Sequence, residues 1–239
     1  MQGKKISIIG PAYNEANIIG DFIKSVLKII DKGDEIIIVD DNSPDGTWKK
    51  VQSFSKRDKR VRLLNRINKR GLASAIRDGA KLARGNVLLW MDVDMDTAII
   101  PKLVAEIGKY DVAIASRYVK NGKDDREFFR VALSYILNFI ASLLLDPTVR
   151  DYTTGYVATK RRVYNKIHFT EKGYGEYCIE FLYLAKKYGY KIKEVPYVCS
   201  LRKSGETKTT PNLLALLRHI AIYLGTVLKL SLNLNNSIR

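Results

Sequence analysis

The feature that most constrains this chain is a regular alternation of short aliphatic runs with longer helical patterns through its first half. The runs ISII (6–9), IIIV (36–39), VRLL (61–64), VLLWM (87–91) and VAIA (112–115) read as five strands. Helical spacing fills the gaps, as over 16–30 and 72–83. Strands that alternate with helices close as parallel neighbours joined by crossovers. The chain therefore predicts an α/β fold, a single doubly wound, mostly parallel sheet flanked by helices, with its functional crevice at the carboxyl ends of the strands. No internal repeat or low-complexity linker interrupts the pattern, and 239 residues suit one domain with an appendage.

The polar residues fall where that rule needs them. PAYNE (11–15) follows the first strand, DDNSPDG (40–46) the second, DVDMD (92–96) the fourth and SRY (116–118) the fifth. Asn, Ser, Pro, Asp and Gly are turn formers, so any one of these loops reads as an ordinary turn. Four polar clusters on one edge read jointly as a site.

Asp92, Asp94 and Asp96 alternate with apolar residues, and in extended backbone alternate side chains share a face. Three carboxylates so placed repel one another unless a cation compensates, and hard oxygen ligands suit Mg²⁺ or Mn²⁺. A calcium-binding EF-hand loop is excluded, because Thr97 occupies its glycine position and Leu103 its glutamate position. A divalent ion here would commonly hold a diphosphate. The chain has no GxxxxGK[ST] loop and no GxGxxG after a strand, so phosphates would be held by the metal and basic side chains.

Lysine and arginine number 41 against 25 acidic residues, a net charge of +16 that points to an anionic partner. Nucleic acid is not expected, because the densest basic stretch, KRDKRVR (56–62), lacks interleaved aromatics. Cys178 and Cys199 make neither a disulfide framework nor a zinc spacing and read as reduced thiols. Trp48 and Trp90 read as packing residues, and His168 and His219 show no partner pattern for catalysis or metal. The apolar run near the amino end is too short for a signal peptide. The uncharged segment 131–145 makes ~22 Å of helix against ~30 Å of hydrocarbon, so no transmembrane span is expected.

Two segments instead read as amphipathic helices lying in an interface. Arg130, Ser134, Asn138 and Ser142 draw a polar stripe along an otherwise apolar helix, and Arg218, Gly225, Lys229 and Asn233 fall together on a second. Peripheral attachment to the cytoplasmic face of a membrane surface is the expectation. The organisation expected is a main domain over 1–210, with an interface helix inserted at 128–145, then a C-terminal amphipathic helix and tail over 211–239.

Six ordered motifs between Ile6 and Lys208 carry a family resemblance. PAYNE (11–15), VDDNSPDGT (39–47), KRGLASAIRDG (69–79), the Asp-x-Asp of 92–94, SRYV (116–119) and EVPYVCSLRKSGETK (194–208) resemble, in sequence order, the signatures of the inverting family 2 glycosyltransferases of GT-A fold, and within them the dolichol-phosphate mannose synthase branch. The resemblance implies that Pro11, Tyr13, Glu15, Val39 and Asp40 line a pocket for base and ribose, and that Asp92, Val93 and Asp94 touch nucleotide and metal. Asp96 stands where the family usually has glutamine, adding negative charge to the metal shell. Arg117, Arg130 and Ser134 would bind an acceptor phosphate, while Arg202 and Lys208 would reach the donor diphosphate or transferring group; Asp94, Arg117, Arg202 and Lys208 are the catalytic set so implied. Thr97, Ala98 and Ile99 replace the family's usual His-Pro-Pro. The implied reaction is metal-dependent mannosyl transfer from GDP-mannose to dolichyl (polyprenyl) phosphate, with UDP-glucose as the alternative donor. A processive polysaccharide synthase is disfavoured, since its Gln-x-x-Arg-Trp motif is absent.

Overall fold

The computed structural model describes residues 3–170, 173, 175–200 and 213–232. Its strands are β1 (Ile6–Ala12), β2 (Glu35–Asp40), β3 (Val61–Asn65), β4 (Val87–Trp90), β5 (Val112–Ser116), β6 (Lys123–Asp124), β7 (Val157–Lys160), β8 (Ile192–Pro196) and β9 (Val198–Cys199). The helices are α1 (Ile19–Leu27), α2 (Thr47–Arg57), α3 (Leu72–Leu82), α4 (Ile100–Glu106), α5 (Phe128–Leu144), α6 (Arg161–Lys166), α7 (Glu176–Lys187) and α8 (Leu213–Ser231). Seven strands form one sheet in the order β3-β2-β1-β4-β7-β5-β8, and β6 pairs with β9 beside it. All five strands read from the sequence are present. β3, β2, β1 and β4 run parallel, as do β5 and β8, whereas β7 runs antiparallel to both its neighbours.

The continuous run at 36–39 is apolar because the sheet is covered on both faces. Ile36 and Ile38 pack with Ile6, Ile8 and Leu89 into one layer, against α1 and α4. Ile37 and Val39 point the other way, joining Ile9, Leu88 and Trp90 in a second layer against α3 and α7. In α1 the spacing Ile19, Phe22, Ile23, Val26 turns one stripe inward. The helix is shorter than 16–30, because Ile18 and Ile19 donate to the Glu15 carbonyl in a turn that precedes it.

α8 packs against α5 and α7, and its Val227 and Leu230 are buried in the second layer. α5 is turned inside out relative to an ordinary surface helix. Asn138 is buried, whereas Phe128, Phe129, Tyr135, Ile136, Phe139 and Leu143 face outward. α8 adds exposed Leu217, Ile222 and Leu228. Among the described residues no helix is long and apolar enough to cross a membrane.

Helix and sheet approach closely at Gly79 of α3. A Cβ placed there would lie 2.6 Å from Ile9 Cγ2 and 3.0 Å from Val39 Cγ2. Alanine ordinarily improves on glycine inside a helix by ~1 kcal/mol, but overpacking here reverses the sign. Gly79→Ala is expected to destabilise the fold by about 1–3 kcal/mol, seen as a lower urea midpoint. An unchanged or raised midpoint would show that this layer yields.

Candidate functional site

The carboxyl ends of β1, β2, β4 and β5 open into a cleft of about 1310 Å³. Its first wall is the loop after β1, held by the loop after β2. Asn14 and Asn42 adopt positive φ, 55° and 57°, which asparagine tolerates better than most residues. The Asn14 amide donates to Ser43 Oγ (2.9 Å), Glu15 to Thr47 Oγ1 (2.9 Å) and Ala16 to Asp45 Oδ2 (2.9 Å). The second motif thus acts as scaffold for the first, and Pro11, Tyr13 and Glu15 line the cleft as expected.

Val39 and Asp40 do not line it. Val39 is in the core, and Asp40 turns back to accept from the Ser43 amide and hydroxyl at 2.8 and 2.6 Å. Burial pushes the Asp40 carboxyl above its usual value against those hydrogen bonds. The next residue, Asp41, reaches the cleft instead. It accepts from Arg66 Nε (2.7 Å) and from the Gly71 amide (2.9 Å), tying the end of β2 to the start of α3. Arg66 also donates to Ser74, Asp78 and the Gly71 carbonyl. Beside it the Arg70 guanidinium lies 4.9 Å from the centroid of the Tyr13 ring.

The acidic segment departs from its expected conformation. β4 ends at Trp90 and the chain turns, the Met95 amide donating to the Asp92 carbonyl at 3.3 Å. Strand alternation therefore does not set the three carboxylates on one face. Asp96 Oδ1 caps the amide of Ala98 (2.9 Å) at a short 3-10 turn, Thr97–Ile99, and the Asp96 carbonyl accepts from Tyr156 Oη (3.0 Å). Asp92, Val93, Asp94 and Asp96 nevertheless all line the cleft.

Among the described residues no group of three or more His, Cys, Asp or Glu side chains converges to hold a metal. Mg²⁺ or Mn²⁺ of the substrate-bridging kind needs only one or two protein carboxylates, such as Asp92 and Asp94 at the cleft, and completes its shell with phosphate oxygens and water. A Cβ added at Gly155 would come to 3.1 Å from Met95 Cε and 3.4 Å from Asp92 Oδ2, so the glycine lets this loop pack against the acidic turn. The donor set fits such an ion.

The opposite wall is basic. Arg117 is 9% exposed and has all five N–H donors engaged: Nε and Nη2 on Asp151 (2.8 and 2.7 Å), Nη2 also on Thr153 (2.8 Å), and Nη1 on Asp124 (3.4 Å) and Ser134 (3.3 Å). Its fork is thus occupied by protein groups, which differs from a free phosphate ligand. Ser134 Oγ also accepts from Tyr118 Oη (2.9 Å), which leaves its own proton to donate. Asn138 receives the Tyr152 amide (2.7 Å) and donates to Thr153 (2.8 Å). Burial pushes the Asp124 carboxyl up, but Arg126 and Arg117 hold it below its ordinary value. Arg130 lines the cleft one turn before Ser134 and pairs with Glu127 at 3.4 Å. The remaining expected residues, Arg202 and Lys208, lie outside the described residues.

Sequence reading missed Asp41, Arg66, Asp124 and Asp151. The paired aspartates at 40–41 and the DYTTGY segment at 151–156 were the available signals.

The doubly wound α/β fold thus brings an acidic turn and a basic wall together across one cleft at its carboxyl edge. The family model for glycosyl transferase family 2 matches residues 7–168, and the chain belongs to that family. It is 34% identical to a dolichol-phosphate mannosyltransferase of Pyrococcus furiosus over 225 residues, covering 90% of this chain and 62% of that protein. It is 33% identical to a polyprenol monophosphomannose synthase of Mycolicibacterium smegmatis over 215 residues, covering 84% and 79% respectively. This chain therefore spans less than two thirds of the length of the Pyrococcus protein. Glucosyl-3-phosphoglycerate synthase from Mycobacterium tuberculosis, solved with Mn²⁺, UDP and phosphoglyceric acid, superposes with a TM-score of 0.72 at 18% identity, over 96% of this chain and 79% of that one. The fold is the GT-A fold.

The Arg117–Asp151 pair makes the basic wall sensitive to loss of one charge. Asp151→Asn leaves the buried guanidinium with only the more distant Asp124, itself shared with Arg126, and is expected to destabilise the protein by about 3 kcal/mol in urea unfolding. A loss under about 1 kcal/mol would show that the pair is exchanged for water, as exposed pairs are.

Proposed function

We propose that this chain is an inverting glycosyltransferase that moves a mannosyl group from GDP-mannose to dolichyl (polyprenyl) phosphate, giving dolichyl β-D-mannosyl phosphate and GDP. The observation that carries the reading is the juxtaposition in one cleft of the Asp92–Asp96 turn with Arg130 and Ser134 of α5, a helix whose outer face is exposed and apolar. The named relatives support the choice of sugar and lipid phosphate.

In this reading Pro11, Tyr13 and Glu15 take the base and ribose, with Asp41 in the place expected of Asp40. Asp92 and Asp94 hold the donor diphosphate through the metal, and Asp96 serves at its margin. When bound, Mg²⁺ or Mn²⁺ neutralises the charge that grows on the departing diphosphate. Arg130 and the Ser134 hydroxyl bind the acceptor phosphate, Arg117 acts by positioning Ser134 and Thr153, and Arg202 and Lys208 complete the donor side. A phosphate monoester has a second pKa of ~6 and is ionised at neutral pH, so no protein base is needed. One of its oxygens attacks the anomeric carbon, the bond from that carbon to the diphosphate oxygen breaks opposite, and an α-linked donor gives a β-linked product.

Incubation of the purified chain with Mg²⁺, dolichyl phosphate and radiolabelled GDP-mannose or UDP-glucose should place mannose in the lipid fraction. Entry of glucose alone, or equal use of plain dolichol, would overturn the donor or the acceptor assignment. Asp94→Asn should lower the rate at least about 10²-fold, the effect of losing one group that stabilises developing charge. Near-normal turnover of that variant in excess chelator would overturn the metal's role.

The exposed faces of α5 and α8 support docking on a membrane surface, in the manner of helices that lie in the interface. Phe139 and Leu143 share the outward face of α5. Burying such a side chain is worth roughly 1.5–3 kcal/mol, so Phe139→Asp with Leu143→Asp should weaken co-sedimentation with phosphatidylglycerol vesicles more than about tenfold. Unchanged sedimentation would assign these side chains to a protein contact.

A further inference from the structure

The loop before β7 carries two adjacent threonines whose hydrogen bonds give them different parts. Thr154 is buried and engaged both ways: its hydroxyl donates to the Ala115 carbonyl (2.6 Å) and accepts from the Tyr156 amide (3.2 Å). Thr153 is half-buried and lines the cleft. Its Oγ1 accepts from Arg117 Nη2 and from Asn138 Nδ2, each at 2.8 Å. The direction of both bonds is fixed. A guanidinium offers donors only. Asn138 Oδ1 accepts from the Tyr152 and Thr153 amides (2.7 and 3.2 Å), so its nitrogen is the atom turned to Thr153 Oγ1, and that nitrogen also donates to the Ser134 carbonyl (2.8 Å).

A hydroxyl has one proton and two lone pairs. With both lone pairs of Thr153 taken by N–H groups, its proton is left to donate, and no acceptor for it is found among the described residues. Ser134 stands in the same position, since its Oγ accepts from Arg117 Nη1 (3.3 Å) and from Tyr118 Oη (2.9 Å). The two Nη atoms of one guanidinium thus hold two cleft-lining hydroxyls, each able to give a hydrogen bond and unable to take another. Water satisfies a lone donor of this kind. Two of them, with the Arg130 cation lining the same cleft, match an oxyanion, which accepts from all three.

Granted the transferase reading above, on which this rests, we infer that Thr153 is a further acceptor-binding residue, its hydroxyl donating to a phosphoryl oxygen of the lipid phosphate alongside Ser134. A phosphate monoester presents three terminal oxygens. With one held by Thr153 and one by Ser134, the third is left to attack the anomeric carbon.

The test uses the whole chain with Mg²⁺, GDP-mannose and farnesyl phosphate, a short acceptor with the same headgroup. Thr153→Val keeps the shape of the side chain and loses the hydroxyl. Its KM for farnesyl phosphate should rise about ten- to a hundredfold, as for one hydrogen bond to a charged group, while GDP binding in the presence of Mg²⁺ stays unchanged. Thr153→Ser retains the hydroxyl and should stay within about threefold of the native KM. A crystal structure of the native chain with GDP, Mg²⁺ and farnesyl phosphate reads the contact directly. Thr153 Oγ1 should lie within about 3 Å of a phosphoryl oxygen, with its bonds to Arg117 and Asn138 retained. A phosphate seated on Ser134 and Arg130 with Thr153 out of reach overturns the inference, and decides the case even if Thr153→Val does not fold. A native chain that transfers mannose to farnesyl phosphate, matched by Thr153→Val, overturns this inference alone. A native chain that transfers to no prenyl phosphate overturns the proposed function as well.

Discussion

Burying the Arg117 guanidinium is the act on which the basic side of the cleft depends. A charge at that depth persists only with compensation, and the chain supplies Asp151 in a two-point grip, with Asp124 nearby. Satisfying the remaining donors then fixes Thr153 and Ser134. Three segments distant in sequence, the end of β5, the loop before β7 and the inner face of α5, are thereby drawn to one point. Arg66 performs the corresponding task on the other side, where Asp41 and Gly71 join the end of β2 to the start of α3. The two arginines place the loops; the loops place the groups that meet ligands.

β8, parallel to β5, was not legible, because IKEVP lacks an apolar run, but the other parallel strands were, since each carries one. β7 was not, since VATK is four residues of weak pattern and acquires its place only by fitting antiparallel between β4 and β5. The acidic motif was legible as a part of the cleft and misread as geometry. Alternation is informative only inside a strand, and β4 has ended two residues before Asp92. The shift from Asp40 to Asp41 has a similar origin: of two adjacent acids at a strand end, one caps the following loop and the other faces the cleft. Composition cannot decide which.

The polar stripe of α5 was also visible in sequence, but its direction was not. A stripe of Arg130, Ser134 and Asn138 on an apolar helix ordinarily faces water, with the leucines inside. Here part of the protein interior at that place is polar, supplied by Arg117, Asp151 and Thr153, so the stripe turns inward beside the buried Leu137 and Ala141 while the bulkier Phe128, Phe129, Ile136, Phe139 and Leu143 are left outside. The exposed surface is thus a consequence of the buried ion pair.

That inversion alters what concentration means for this protein. If α5 docks on a bilayer as proposed, Arg130 and Ser134 lie on the inner face of a helix whose outer face meets lipid, and the acceptor headgroup would be met by diffusion within a plane. Encounter then scales with the mole fraction of lipid phosphate in the bilayer, and adding inert lipid at constant total acceptor dilutes the substrate although the bulk solution is unchanged. The same helix that forms one wall of the cleft would set the dimensionality of the search.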